Sequence, residues 1–219
     1  MEVILFIAIS FAAGLSGAIV PGPMLTITIS DSAKKGFITG PLVVLGHLLA
    51  EIGLIIFMMA GFSWLIGSNT ATMIIGTLGG IMLVFMGYNT SKNTNNLLND
   101  ISNSGTSINR YRSVSKGLLT SISNPYFFIW WATIGWAFMF RGLEIAGFIG
   151  LIGFLMGHWS ADLSWYSMVS FFSSKGSKIM TDNHFKIIMK ICGAFLIILG
   201  FYFLINAQLH NLILYSHYL

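Results

Sequence analysis

Gly46-His47-Leu48-Leu49-Ala50-Glu51 and Gly157-His158-Trp159-Ser160-Ala161-Asp162 are two copies of one pattern: glycine, histidine, two residues, alanine, acid. Each acid is alone in a long apolar run. Gly36 to Ser91 carries no charge except Glu51, and Ile145 to Ser174 none except Asp162. Other features recur in the same order. Gly80, Gly87 and Tyr88 return as Gly193, Gly200 and Phe201, and prolines interrupt an apolar stretch at Pro21-Gly22-Pro23 and again at Asn124-Pro125. The offset between matched features grows from about 104 at the prolines to 111 at the acids and 113 at the glycines. Small loop insertions between two related halves produce such a drift.

Composition sets the solvent in which this repeat folds. The 219 residues are 55% hydrophobic and 8% charged, with a mean hydropathy of +0.81. Eleven Lys and Arg and seven Asp and Glu cannot clothe a globule of this size in water. Lipid is the main solvent. The net charge of +4 does not point to nucleic acid, because the basic residues sit singly or in pairs between apolar runs. One cysteine, Cys192, excludes intramolecular disulfides, cysteine metal clusters and two-thiol redox relays. No cofactor is expected, and no Walker motif or nucleotide-binding glycine loop suggests direct ATP drive.

A crossing takes roughly 20 apolar residues, and the charge-free stretches give six. Val3 to Ser30 is the first; with Glu2 where a signal peptide would be basic, it reads as a retained helix. Gly36 to Ser91 is long enough for two, divided at the turn-forming Ile66-Gly67-Ser68-Asn69-Thr70. Gly117 to Phe140, Ile145 to Ser174 and Ile191 to Leu219 supply the rest. The reading is an all-α polytopic membrane protein of six helices in two three-helix repeats, residues 1–91 and 117–219, joined by a polar, Asn-rich linker over 92–116. Three being odd, the second repeat enters from the opposite side, giving an inverted repeat. Lys34 and Lys35, then Lys92, Arg110, Arg112 and Lys116, then Lys175, Lys178, Lys186 and Lys190 fall after spans one, three and five. Basic loops stay cytoplasmic, so both termini are predicted outside a cell-membrane protein.

Pro21, Pro23 and Pro125 lack N–H groups, which should deprive the carbonyls of Gly17, Ile19 and Ser121 of helical partners. Such breaks are tolerated where protein, water or ligand satisfies them. Pro21, Gly22, Pro23, Asn124, Pro125, Glu51 and Asp162 are therefore the candidate substrate-binding residues, the plain alternative being a proline kink. An acid costs about 2.5 to 3.5 kcal/mol at a helix centre in lipid on insertion scales, so Glu51 and Asp162 need a reason. His47 and His158 precede them by four residues and share their helix faces, making all four candidates for proton coupling; the plain alternative is structural glue between helices. Gly76, Gly80, Gly87, Gly153, Gly157, Gly193 and Gly200, with Gly147 and Gly150 in a small-residue track, read as close helix packing. Trp130, Trp131, Trp136, Trp159 and Trp165 read as packing or bilayer-interface residues.

With these residues in view, the chain resembles the LysE family of amino-acid translocators over nearly its full length. The likeness rests on Pro21-Gly22-Pro23, Gly36-Phe37-Ile38-Thr39-Gly40, Gly46 with an acid five residues on, and Asn124-Pro125. It implies inverted three-helix repeats and export of amino acids or similar small solutes, driven by protons. The family motif more often carries Asp where Glu51 stands. A metal or small-cation exporter is the alternative, since two carboxylates and two imidazoles near a pseudo-axis suit a metal ion. A third reading, an intramembrane serine protease using Ser16 of Gly14-Leu15-Ser16-Gly17, does not account for the duplicated acids. The expected partners are a small-molecule substrate, protons and the bilayer; assembly into a homo-oligomer stays open.

Overall fold

The computed structural model describes residues 2–62, 69–92, 110–176 and 182–216. These are almost entirely helical, with no strand among them. In chain order the helices are α1 (Glu2–Ala18), α2 (Pro23–Lys35), α3 (Thr39–Phe57), α4 (Asn69–Lys92), α5 (Arg110–Ile122), α6 (Pro125–Trp130), α7 (Trp136–Gly176) and α8 (Asp182–Ser216). Wider π-type turns, Met58–Phe62 and Trp131–Gly135, extend α3 and link α6 to α7. Among the described residues, four segments are long and apolar enough to cross a membrane: Thr39–Gly61, Met73–Lys92, Pro125–Gly176 and Lys186–Ala207. The bent pair α1 and α2, counted as one broken span, brings the number to five. Large apolar side chains such as Ile4, Phe85, Phe148 and Ile198 lie on the outside, as lipid requires. The chain is a multi-pass membrane protein.

The proline sites are breaks rather than kinks. α1 and α2 meet at 80° because residues 19–22 cannot continue the ladder, and α2 restarts with Pro23 in its first turn, where a missing N–H costs nothing. α5 ends at Ile122, and Asn124 is extended (φ −99°, ψ 112°), as the residue before proline prefers. One expectation needs correcting. The carbonyls of Gly17 and Ser121 are not left free, since Val20 N–H reaches Gly17 at 3.3 Å and Asn124 N–H reaches Ser121 at 3.1 Å; tighter i+3 turns replace the lost helical bonds.

Other boundaries shift as well. Residues 93–109 of the polar linker, and 66–68 of the turn between the second and third spans, lie outside the described residues. Residues 110–116, assigned to the linker, are instead the first half of α5, and α8 begins well before Ile191; a helix need not stop where hydrocarbon does, and its lysines can extend to the interface. Gly147 is a turn rather than part of a packing track. Ala146 and Gly147 are non-helical, Gly147 with φ +56°, where only glycine sits without strain. A methyl placed on Gly142 would meet the Gly150 carbonyl at 2.7 Å, so the chain doubles back between them and α7 consists of two limbs.

The most extensive helix contacts join α4 to α8, α1 to α7 and α3 to α5. Glycine makes them close. A methyl on Gly80 would stand 2.9 Å from the Gly200 carbonyl oxygen, and one on Gly193 would stand 2.7 Å from that of Gly87. Gly46 meets the Val114 carbonyl of α5, and Gly157 meets the Ile7 carbonyl of α1 at 2.5 Å by the same measure. Gly76 faces Ala207 and Gly153 faces Ile7. The glycine that opens each repeated hexapeptide thus seats its helix against the backbone of another.

Candidate substrate site

Glu51, on α3, and Asp162, on the second limb of α7, are 1% and 2% exposed. A carboxylate removed from water needs partners, and the repeated hexapeptides supply them crosswise. His47 Nε2 lies 3.1 Å from Glu51 Oε1, as the four-residue spacing predicts. His158 Nε2 is nearer to Glu51 Oε1, at 2.8 Å, than to its own helix neighbour Asp162 Oδ2, at 3.4 Å. His47 Nε2 stands 3.8 Å from Asp162 Oδ2. The two copies therefore form one cluster.

Tryptophan completes it, in a role that composition did not reveal. Trp131 donates its indole N–H to Glu51 Oε1 at 3.2 Å and Trp159 to Oε2 at 2.9 Å. Trp130 stacks on His158, with ring centroids 4.6 Å apart and planes 21° apart. The Trp159 contact was legible in principle, because the residue lies within the second hexapeptide. Trp131 reaches the site at the start of the turn that follows α6. His47 Nδ1 is 2.7 Å from Ser121 Oγ, which also lies 2.8 Å from the Gly117 carbonyl.

Both breaks border the same cluster. Tyr166, one turn beyond Asp162, donates to the Ala18 carbonyl at the end of α1 at 3.3 Å. Gly14 and Gly17 of α1 leave room for His158 and Trp130: a methyl there would lie 2.7 Å from His158 Nδ1 or 2.9 Å from Trp130 Nε1. At the second break, Asn124 Oδ1 accepts from Tyr126 N–H at 3.1 Å and caps α6. Its other side-chain atom, Nδ2, approaches Gly22 at the first break. A cavity of about 70 Å³ lies between, lined by Pro21, Gly22, Asn124, both acids and both histidines, with Trp130, Trp131 and Tyr166 among its walls. Pro23 and Pro125 are buried beside these breaks, Pro125 against Gly79, and are not among the lining residues. Ser16 is elsewhere engaged, donating to the Ala13 carbonyl at 2.6 Å near the exterior.

A second polar group ties α2 to α5 and α7 at the lysine-bearing end. Asp31, 5% exposed, takes Lys116 Nζ on both oxygens at 2.8 Å and Lys35 Nζ at 3.0 Å. Ser32 and Ser170 hydroxyls meet at 2.7 Å.

The LysE type translocator profile matches residues 15–207, a range containing both breaks and the whole acid–histidine cluster. A Bacillus subtilis (strain 168) protein named "Putative amino acid efflux protein YcgF" is 24% identical over 190 residues, 87% of this chain and 90% of its own length. No solved structure matches the chain at a significant level. The match runs through nearly every helix described above, and the chain belongs to the LysE type translocator family.

Proposed function

We propose that this translocator exports small amino acids from the cytoplasm by coupling their passage to protons at the Glu51–Asp162 cluster. One observation carries the reading: the two hexapeptides, far apart in sequence, place their acids and histidines in a single buried group beside a cavity where both helix breaks meet. Intramembrane acids of this kind mark ion or proton pathways. The Bacillus relative's name favours amino acids as the cargo.

The proton inventory supports coupling. If Ser121 donates its only hydroxyl proton to the Gly117 carbonyl, His47 Nδ1 must donate to Ser121. The His47 Nε2–Glu51 contact then needs one further proton, on the imidazole or the carboxylate. Such a proton can pass to Asp162 through the contacts of 3.4 and 3.8 Å, and it biases the open state only if proton affinity differs between the two states. The architecture we infer is six spans in two inverted triplets: α1 with α2, α3 and α4, then α5 through the first limb of α7, its second limb, and α8. The matched glycine contacts at Gly80–Gly200 and Gly87–Gly193 favour it, as does the way α1–α7 contact mirrors α3–α5 contact. With the lysine-rich end in the cytoplasm, both termini are outside, and the Asp31–Lys116 and Ser32–Ser170 ties close the cytoplasmic path. Inside-out vesicles under an imposed pH gradient test the reading: uptake of radiolabelled amino acids supports it, and no uptake of any overturns it. Labelling of a cysteine placed in residues 93–109 from outside intact cells would overturn the orientation.

A second reading rests on its own observation. Donor atoms of His47, Glu51 and Asp162 all lie within 4.8 Å of one another, close enough for imidazole and carboxylate groups to share a divalent cation. Divalent-ion uptake in the same vesicles, without amino-acid uptake, selects cation export instead.

A further inference from the structure

Buried polar atoms normally find partners. Among the described residues that line the cavity between the breaks, three have a buried side-chain atom without a hydrogen bond: His158 Nδ1, which faces Gly14 of α1, and the pair Trp130 Nε1 and Asp162 Oδ2. One is an obligate donor and the other, on an ionised carboxylate, an obligate acceptor. A ligand that satisfies both must carry an acceptor and a donor close together.

The backbone sorts the two further. α2 opens into this cavity at Gly22, which has no side chain to cap the helix; no side-chain hydrogen bond closes that end. Pro23 offers no N–H, but those of Met24 and Leu25 in the first turn point out of the helix with the positive end of the dipole. Asn124 is committed to its own helix through Oδ1, which leaves Nδ2 beside Gly22 as a further donor. Donors therefore gather where the first break meets Trp130. On the opposite side, Tyr166, one turn from Asp162, occupies the Ala18 carbonyl at the end of α1, which leaves the Asp162 carboxylate as the acceptor for a cation. The lining contains no Lys or Arg, and its two histidines face the acids, so an anion at the opposite end is held by N–H groups.

We propose that the cavity is a two-ended zwitterion site. The α-carboxylate is held by the N-terminus of α2, Asn124 Nδ2 and Trp130 Nε1, and the α-ammonium by Asp162. This rests on the exporter reading above and specifies its recognition chemistry. About 70 Å³ is room for roughly five to seven waters at about 10 to 15 Å³ each, which suits an amino acid with a short, uncharged side chain.

L-Alanine is the probe. In inside-out vesicles containing the full chain, uptake of radiolabelled L-alanine is measured in competition with alaninamide, which lacks the carboxylate, and with lactate, which lacks the ammonium. Unlabelled alanine should compete at least about tenfold better than either, as expected when a polar site is left half-paired. Trp130→Phe keeps the ring and removes the donor; it should weaken alanine several-fold while leaving alaninamide inhibition unchanged. Alaninamide or lactate competing as well as alanine would overturn the zwitterion site and leave amino-acid export standing. So would a Trp130→Phe effect equal for alanine and alaninamide. Vesicles that take up other amino acids but not alanine also overturn the site as assigned, whereas vesicles that take up none overturn the exporter reading with it.

Discussion

Glu51 and Asp162 hold the same place in the two copies of the hexapeptide, yet their surroundings differ. Glu51 is met by two imidazoles and two indole N–H groups drawn from α3, α7 and the turn after α6. Asp162 Oδ2 has no hydrogen bond, only the two histidines at 3.4 and 3.8 Å. One methylene accounts for much of this. The longer glutamate reaches across to the facing helix, and the shorter aspartate does not. The two copies of the pattern carry equivalent acids; the added reach makes one an anchor between α3 and α7 and leaves the other available. Glycine shows the reverse case, with Gly46 and Gly157 doing the same packing job in both copies.

The strongest way to break this comparison is to remove the anchor. Glu51→Ala leaves the buried His158, the partly buried His47 and two indoles without their acceptor and should lower stability by about 3 to 5 kcal/mol, read from unfolding in detergent. Asp162→Ala losing as much would show the acids to be equivalent after all. Next come the seats beneath them. Gly46→Ala and Gly157→Ala each press a methyl against a carbonyl and should cost about 1 to 3 kcal/mol alike; a large inequality in the same assay would mean the halves are not packed equivalently. Asp162→Asn sharpens the contrast in function. The isosteric amide should leave stability within about 1 kcal/mol while lowering pH-gradient-driven uptake by roughly tenfold or more, the scale of losing one proton-transfer group. Unchanged pH-dependent flux would remove Asp162 from the coupling scheme. The smallest expected effect is at the lysine-rich end, where Asp31→Asn releases a partly solvated pair. It should cost about 1 kcal/mol and raise labelling of a cysteine placed at Ser121, in a Cys192→Ser background, by an impermeant thiol reagent from that side. Unaltered labelling would mean that the pair does not gate the cavity.

Much of this was legible from the chain because lipid makes charge conspicuous. Two isolated acids in apolar runs, each four residues after a histidine, announced their own importance, and prolines in apolar stretches announced the breaks. The crosswise pairing was not legible, since it depends on where α3 and α7 cross. Nor were the indoles readable: tryptophan in a membrane protein has several ordinary uses, and only the fold shows that Trp131 and Trp159 are aimed at one carboxylate. The carbonyls of Gly17 and Ser121 were misjudged for a local reason, because tighter turns rescued them. Gly147 was misassigned because a regular glycine spacing does not say which member lies in a reversal.

The face-to-face stack of Trp130 on His158 has a spectroscopic consequence. A cationic imidazole lying on an indole perturbs its excited state more than a neutral one does, through the same charge–ring attraction that holds them together. If His158 changes charge during transport, as proposed above, the ultraviolet emission contributed by Trp130 should change with it, an optical gauge of turnover that needs no attached dye.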